Sequence, residues 1–220
     1  MARLIIFGAG DIAQLAHDYF TEDSPHEVAA FTVDRAYLPG ATFEGKPVVP
    51  FETVEKHYPP DRYRMFVALS YRDMNRLRER KCREAKEKGY SLVSYVSSRC
   101  SYLSAYPPGE NCFILEDCTV QPFARIGRNV MLWSGGFIAH HAEVKDHTFI
   151  GAHAVVSGHC VVEPYAFIGA GAVLAHWVKI AEGTLVGAGA VVTRDTEPWR
   201  VIVPPRAAAL EGKRSTDFEL

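Results

Sequence analysis

Residues 114–192 read ILEDCTVQPFARIGRNVMLWSGGFIAHHAEVKDHTFIGAHAVVSGHCVVEPYAFIGAGAVLAHWVKIAEGTLVGAGAVV, and every sixth position of the stretch is aliphatic. The series runs Ile114, Val120, Ile126, Leu132, Ile138, Val144, Ile150, Val156, Val162, Ile168, Leu174, Ile180, Val186 and Val192 without a slip. Four residues after each of the first thirteen stands a small or β-branched residue, from Cys118 and Ala124 to Thr184 and Ala190. A period held this long marks a repeat architecture, in which no single unit buries its own apolar face and stacking supplies the core. Three hexapeptides, eighteen residues, close one triangular coil whose aliphatic residues point inward and whose small residues lie near the corners. The pattern predicts a left-handed parallel β-helix, with neighbouring coils paired about 4.8 Å apart.

Ahead of this series the pattern changes. Leu4-Ile5-Ile6-Phe7 reads as a strand, Gly8-Ala9-Gly10 as a turn, and Ile12, Leu15, Ala16, Tyr19 and Phe20 as the apolar stripe of a helix with Asp11 at its N-terminal end. Val28 to Val33 and Met65 to Leu69 are further strands, ending in Asp34 and Ser70. Asp73 to Lys88 is a charge-rich helix stopped by Gly89, followed by the apolar run Leu92 to Tyr95. Strands alternating with helices predict an α/β domain with a small parallel sheet. The expected division is a βαβ domain over 1–98, the β-helix over 99–197, and a C-terminal loop and tail over 198–220. Arg76, Arg78, Arg80 and Lys81 on the charged helix read as a solvated face rather than a phosphate clamp.

Composition narrows the function classes. The chain of 220 residues is 48% hydrophobic and 23% charged, as a globular protein is. A formal charge of -2 with no Lys/Arg block leaves no electrostatic footprint for nucleic acid. The first apolar run is too short for a signal-peptide core and none is long enough to span a membrane, so a cytoplasmic location without membrane insertion is expected. Cys82, Cys100, Cys112, Cys118 and Cys160 are odd in number and lack CxxC spacing, which predicts reduced, packing thiols.

Stacking of positions eighteen apart converts the sequence into columns. One holds Pro122, His140, Gly158 and His176, and the next holds Phe123, His141, His159 and Trp177. Exposed corners tolerate histidine, which suffices for His147 and His153 on other columns. His140 is different, because Gly158 on the next coil leaves a backbone N–H beside it with no intervening side chain. Free imidazole has a pKa of about 6.5 and accepts a proton at neutral pH, while the amide stabilises an oxyanion; together they meet the minimum for acyl transfer. Trp133 and Trp177 are expected at a subunit interface.

Hexapeptide repeats with a histidine on a coil corner resemble the left-handed β-helix acyltransferases. Joined to an N-terminal Gly8-Ala9-Gly10 βαβ domain, they are similar to sugar acetyltransferases of the bacillosamine-pathway and sialic acid O-acetyltransferase type. The resemblance implies a homotrimer with acetyl-CoA in the groove between neighbouring β-helices, a nucleotide-linked sugar on the N-terminal domain, no metal requirement, and a role in surface-glycan synthesis. It implies that His140 is the general base and that Gly158 supplies the amide for the thioester oxygen. Backbone amides near Ala170 and Ala188 would meet the pantetheine arm. Gly8 and Gly10 would form the nucleotide-sugar loop, with Asp11 following it, Asp34 and Arg35 at the base or ribose, and Ser70 in the third-strand loop. The third glycine position of the dinucleotide fingerprint holds Ala13, which such folds tolerate.

Three positions depart from the pattern. Relatives carry a histidine toward the diphosphate where this chain has Gly10-Asp11-Ile12, and an aspartate repels phosphate. The residue after the catalytic histidine, commonly acidic, is His141, leaving Glu143 or Asp146 as the acidic groups that could orient His140. Ile202-Val203-Pro204-Pro205-Arg206 replaces the family's Gly-Val-Pro-Ala segment at the CoA adenine. An amine and a hydroxyl acceptor both fit the sequence. A metal-dependent, carbonic-anhydrase-like protein would use the same histidines, but its ligands stand five residues apart and the positions five beyond His159 and His176 are Pro164 and Ala181. A purely structural trimer is the third reading; it predicts no binding of acetyl-CoA.

Overall fold

The computed structural model describes residues 2–212 and 214–217. Its N-terminal sheet has the order β3-β4-β2-β1-β5, with β1 (Arg3–Phe7), β2 (Glu27–Val33), β3 (Thr42–Phe43), β4 (Lys46–Pro50) and β5 (Tyr63–Val67). β1 lies between β2 and β5, parallel to both, while β3 and β4 form an antiparallel hairpin at the edge. Helix α1 (Asp11–Glu22) buries Ala13, Ala16 and Phe20, as its stripe predicts. The short α2 (Val54–His57) and the hairpin were not legible, because neither has an apolar run long enough to show a period.

From Tyr95 the chain enters the left-handed β-helix, three walls of two-residue parallel strands. Registers such as Ile138↔Val156 and Ile150↔Ile168 are eighteen residues apart, as the sequence requires. The fourteen aliphatic residues form one continuous core with the small residues four positions after them, and all are buried. The ladder starts earlier and ends later than the expected bounds. Tyr95–Val96 pairs with Phe113–Ile114, and Val201–Ile202, placed by sequence in the C-terminal loop, pairs with Leu185–Val186.

The corner residue proper is the one just before each small residue. Asp117, Phe123, Asn129, His141, His147, His153, His159, Tyr165 and Trp177 have φ between 55° and 68° there, alternating with glycines such as Gly135 and Gly171. Asn, Asp and His tolerate this left-handed conformation better than most residues. That accounts for four of the nine histidines, His141, His147, His153 and His159. It does not account for His140 or His176, which lie outside the left-handed positions.

The two halves share a core. Phe113, Leu115, Met131 and Phe149, on the outer face of one wall, pack with α1 and the N-terminal sheet. Trp133, partly buried, packs against the same cluster, its ring 6.1 Å from that of Phe149. A correction concerns α3 (Arg76–Glu87). Arg78 is not solvated but fully buried at the junction. It donates to Asn129 Oδ1 (2.9 Å), Asn75 Oδ1 (3.0 Å) and the carbonyls of Ser70 (2.8 Å) and Asn129 (3.1 Å). Asn111, one coil before Asn129, accepts from Val67 N–H (2.7 Å) and donates to Asn129 Oδ1 (2.9 Å). Burial lowers the Arg78 pKa to about 10, which still leaves it charged at neutral pH. The guanidinium is thus neutralised by dipoles alone.

All five cysteines are free thiols and four are buried, with burial raising Cys82, Cys112 and Cys118 to about 12. They are packing groups. Arg78→Met leaves several buried acceptors unpaired and is expected to cost about 2–4 kcal/mol, read as a lower urea midpoint; an unchanged midpoint would show that the junction does not depend on this side chain.

Candidate active site

His140 follows the strand Phe137–Ile138 and is held at both main chain and ring. Its N–H donates to Gln121 Oε1 (2.9 Å), and its carbonyl accepts from His159 N–H (3.2 Å). Gln121 was not singled out by sequence, since it stands one place off the column. The ring lies against Gly158: a β-carbon there would fall 2.8 Å from His140 Cε1, 3.0 Å from its Nε2 and 3.2 Å from His176 Nδ1. Glycine at 158 therefore makes room for two imidazoles, and the residue itself is buried beside them. Its N–H has no hydrogen-bond partner among the described residues.

The ring's other nitrogen faces a second imidazole. His140 Nδ1 is 3.2 Å from His141 Nδ1, so the two share one proton. With that proton on His140, its Nε2 keeps a lone pair facing Gly158, and His141 must be protonated on its far nitrogen. Neither acidic alternative reaches the ring. Asp146 is bound to Arg128 (2.6 Å), and the Glu143 carboxylate makes no hydrogen bond among the described residues. Glu143 instead lines a shallow recess with Arg125, Phe123 and His141.

The corner column forms a ladder of rings. Phe123 and His141 are 4.7 Å apart, His141 and His159 4.8 Å, and His159 and Trp177 3.9 Å, the last pair nearly parallel. Trp177 is 71% exposed, which leaves it available to a neighbouring subunit. Partial burial in the ladder, then the like charges of His141, His140 and His176, holds the His159 pKa below the ordinary imidazole value.

Farther along the β-helix, Ala170 and Ala188 are exposed on one column and their N–H groups have no partner among the described residues. Ile202 O accepts from Gly187 N–H (2.7 Å), which lays the segment Ile202 to Pro204 beside Ala188. The amides and the C-terminal segment expected at the cofactor are therefore neighbours in space.

The N-terminal domain has a cleft of about 480 Å³ beyond the ends of β1, β2 and β5, the usual ligand position in an open parallel sheet. Gly8, Gly10 and Asp34 line it; Asp11, Arg35 and Ser70 do not. Gly8, at φ +134°, is required for the turn, because a β-carbon would lie 2.8 Å from the Ala68 carbonyl oxygen. Gly10 faces open space. Arg35 is exposed with its N–H tied to Glu52, and the Ser70 carbonyl serves Arg78. The sequence reading missed Tyr37, Arg72, Arg80 and Lys81 in the lining. Leu77, Arg80 and Lys81 share one α3 face by their i, i+3, i+4 spacing, the signal that could have found them. Lys81 Nζ bonds Asp34 Oδ1 and Glu84 Oε2, both at 2.7 Å. Burial alone would lower the Lys81 pKa, but these two carboxylates outweigh it and raise the value.

With this geometry in place, the likenesses to known proteins take on meaning. The sequence family described as bacterial transferase hexapeptide (six repeats) matches residues 159–194. No curated protein matches by sequence. A mutant of perosamine N-acetyltransferase from Caulobacter crescentus, solved with CoA and GDP-perosamine, superposes with a TM-score of 0.84 at 24% identity, covering 93% of this chain and 94% of that one. The acetyltransferase domain of PglB from Neisseria gonorrhoeae gives 0.81 at 19% identity over 96% and 100%. WeeI from Acinetobacter baumannii gives 0.79 at 21% identity over 93% and 97%. The chain shares their fold. The match includes the N-terminal domain as well as the β-helix.

Desolvation is the first cause of the low His159 pKa and Trp177 stacks on the ring at 3.9 Å, so Trp177→Ala is expected to raise it toward the ordinary value, followed by imidazole NMR titration. A pKa that stays put would assign the shift to the other histidines instead.

Proposed function

We propose that this chain is an acetyl-CoA-dependent acetyltransferase acting on the amine of a nucleotide-linked amino sugar for surface-glycan synthesis. The observation that carries the reading is the His140 ring seated on Gly158, whose backbone N–H has no hydrogen-bond partner among the described residues. The N-terminal cleft holds the nucleotide part of the sugar, and the β-helix holds acetyl-CoA along the amides of Ala170 and Ala188. A protein of the same fold captured with CoA and GDP-perosamine supports this pair of substrates.

In the reaction the sugar amine attacks the thioester carbonyl, forming the C–N bond, and His140 Nε2 takes the amine proton. Gly158 N–H stabilises the oxyanion of the tetrahedral intermediate. As the intermediate collapses, the C–S bond breaks and the thiolate of CoA recovers the proton from His140. Throughout, His140 Nδ1–H stays directed at His141.

That partner favours an amine over a hydroxyl acceptor. A neutral imidazole, unlike a carboxylate, brings no counter-charge to the imidazolium that forms as His140 takes a proton. An amine attacks before it loses its proton and tolerates such a base better than an alcohol does. We place the active sites between subunits of a homotrimer, with the exposed Trp177 column at the contact. Among the described residues no helix is long and apolar enough to cross a membrane.

His140→Ala is expected to lower thiol release from acetyl-CoA by roughly 10²–10⁴-fold while the oligomer, judged by gel filtration, persists; near-normal turnover would remove His140 as the base. Acetyl-CoA should raise the thermal midpoint of the parent protein by mass action. No shift at saturating acetyl-CoA would favour the purely structural trimer.

A further inference from the structure

The histidines at the active-site edge have a second property that acyl transfer does not use. One ring nitrogen from each of His140, His141 and His159 lies within 4.8 Å of those of the other two. We propose that these three side chains form a transition-metal site, for zinc(II) or an ion of similar preference, whose occupation switches off His140 as a base.

The geometry suits such an ion. Two imidazoles on a tetrahedral zinc, each with Zn–N of about 2.0–2.1 Å, hold their nitrogens about 3.3–3.4 Å apart. His140 Nδ1 and His141 Nδ1 are already at 3.2 Å. The third ligand, His159, stacks on His141 at 4.8 Å with an interplanar angle of 11°, and stands edge-on to His140 at 5.3 Å. The terminal torsion of histidine is broad, so the ring turns toward the ion at little cost. All three rings reach solvent, so hydrated metal has access and water can complete the coordination. Three imidazoles without a carboxylate or thiolate select zinc, copper or nickel over magnesium or calcium.

Coordination also fixes where the protons sit. Before binding, His140 carries its proton on Nδ1 and offers the Nε2 lone pair toward Gly158. A metal bound at Nδ1 displaces the Nδ1 proton and takes the electron pair it leaves, and the displaced proton moves through water to the Nε2 lone pair. His140 remains neutral with no net proton lost, but the nitrogen facing the substrate is now a donor and accepts nothing. Binding at the far edge of the ring thus inactivates the reacting edge without covering it. The binding itself stands on the three rings; only the inhibition rests on His140 being the base.

The test uses the full chain freed of metal and titrated with cobalt(II), then with zinc(II). One cobalt per chain, with the intense visible bands of a tetrahedral nitrogen site and displacement by zinc, is expected. His159→Ala and, as a more conservative change, His159→Gln should weaken binding by at least about tenfold while metal-free thiol release continues. Zinc that inhibits the parent should leave both variants active. Absence of saturable one-to-one binding, or binding equally tight in both His159 variants, would overturn the site. Tight binding through His159 with thiol release unchanged would overturn the gating, independently of whether the acceptor has been identified.

Discussion

One constraint orders everything else in this molecule: the chain must turn through a left-handed corner every six residues. Each corner places an aliphatic side chain inward three residues before it and a small one immediately after it, and the coil then closes on a core about one residue wide. Because strands are only two residues long, no wall can shift by one position without turning its aliphatic residue outward. Register is therefore not adjustable. A side chain beside one corner has a fixed neighbour on the next coil, and this rigidity lets a β-helix position a proton-transfer group without a loop to support it.

The second half of the molecule is tied to those corners. Asn111 and Asn129 occupy left-handed positions and turn their amides toward the N-terminal domain, where they meet Val67 and Arg78. The same residues thus answer two requirements, a backbone conformation that asparagine tolerates and a set of hydrogen bonds that a buried guanidinium demands. Arg78 also holds the Ser70 carbonyl, so the loop after β5 is anchored to the β-helix by the residue that anchors α3. The cleft between that loop and α3 inherits its shape from the junction.

At the active edge, two histidines with different origins have been brought together. His141 sits at a corner that favours its residue type, whereas His140 does not and depends on Gly158 for space. The usual acidic partner of such a base is replaced by a second imidazole 3.2 Å away. The second imidazole also supplies a nitrogen from which the proposed metal site is built. The chemistry of the edge follows from one change of residue type beside the catalytic position.

The sequence by itself determined the β-helix, its register, and the column that sets His140 over Gly158, because a strict period leaves one way to bury the aliphatic series. It also located the N-terminal strands β1, β2 and β5 and the glycine turn of the cleft, which local apolar runs and turn residues encode. Tertiary structure alone decided the rest. Charge on α3 suggests solvent, yet Arg78 is buried and Lys81 lines the cleft, since burial of a long cation depends on acceptors from three distant segments. Gly158 proved to be space for two rings, and His141 rather than Glu143 proved to meet His140, because ring orientation is set by packing between coils and not by spacing along them.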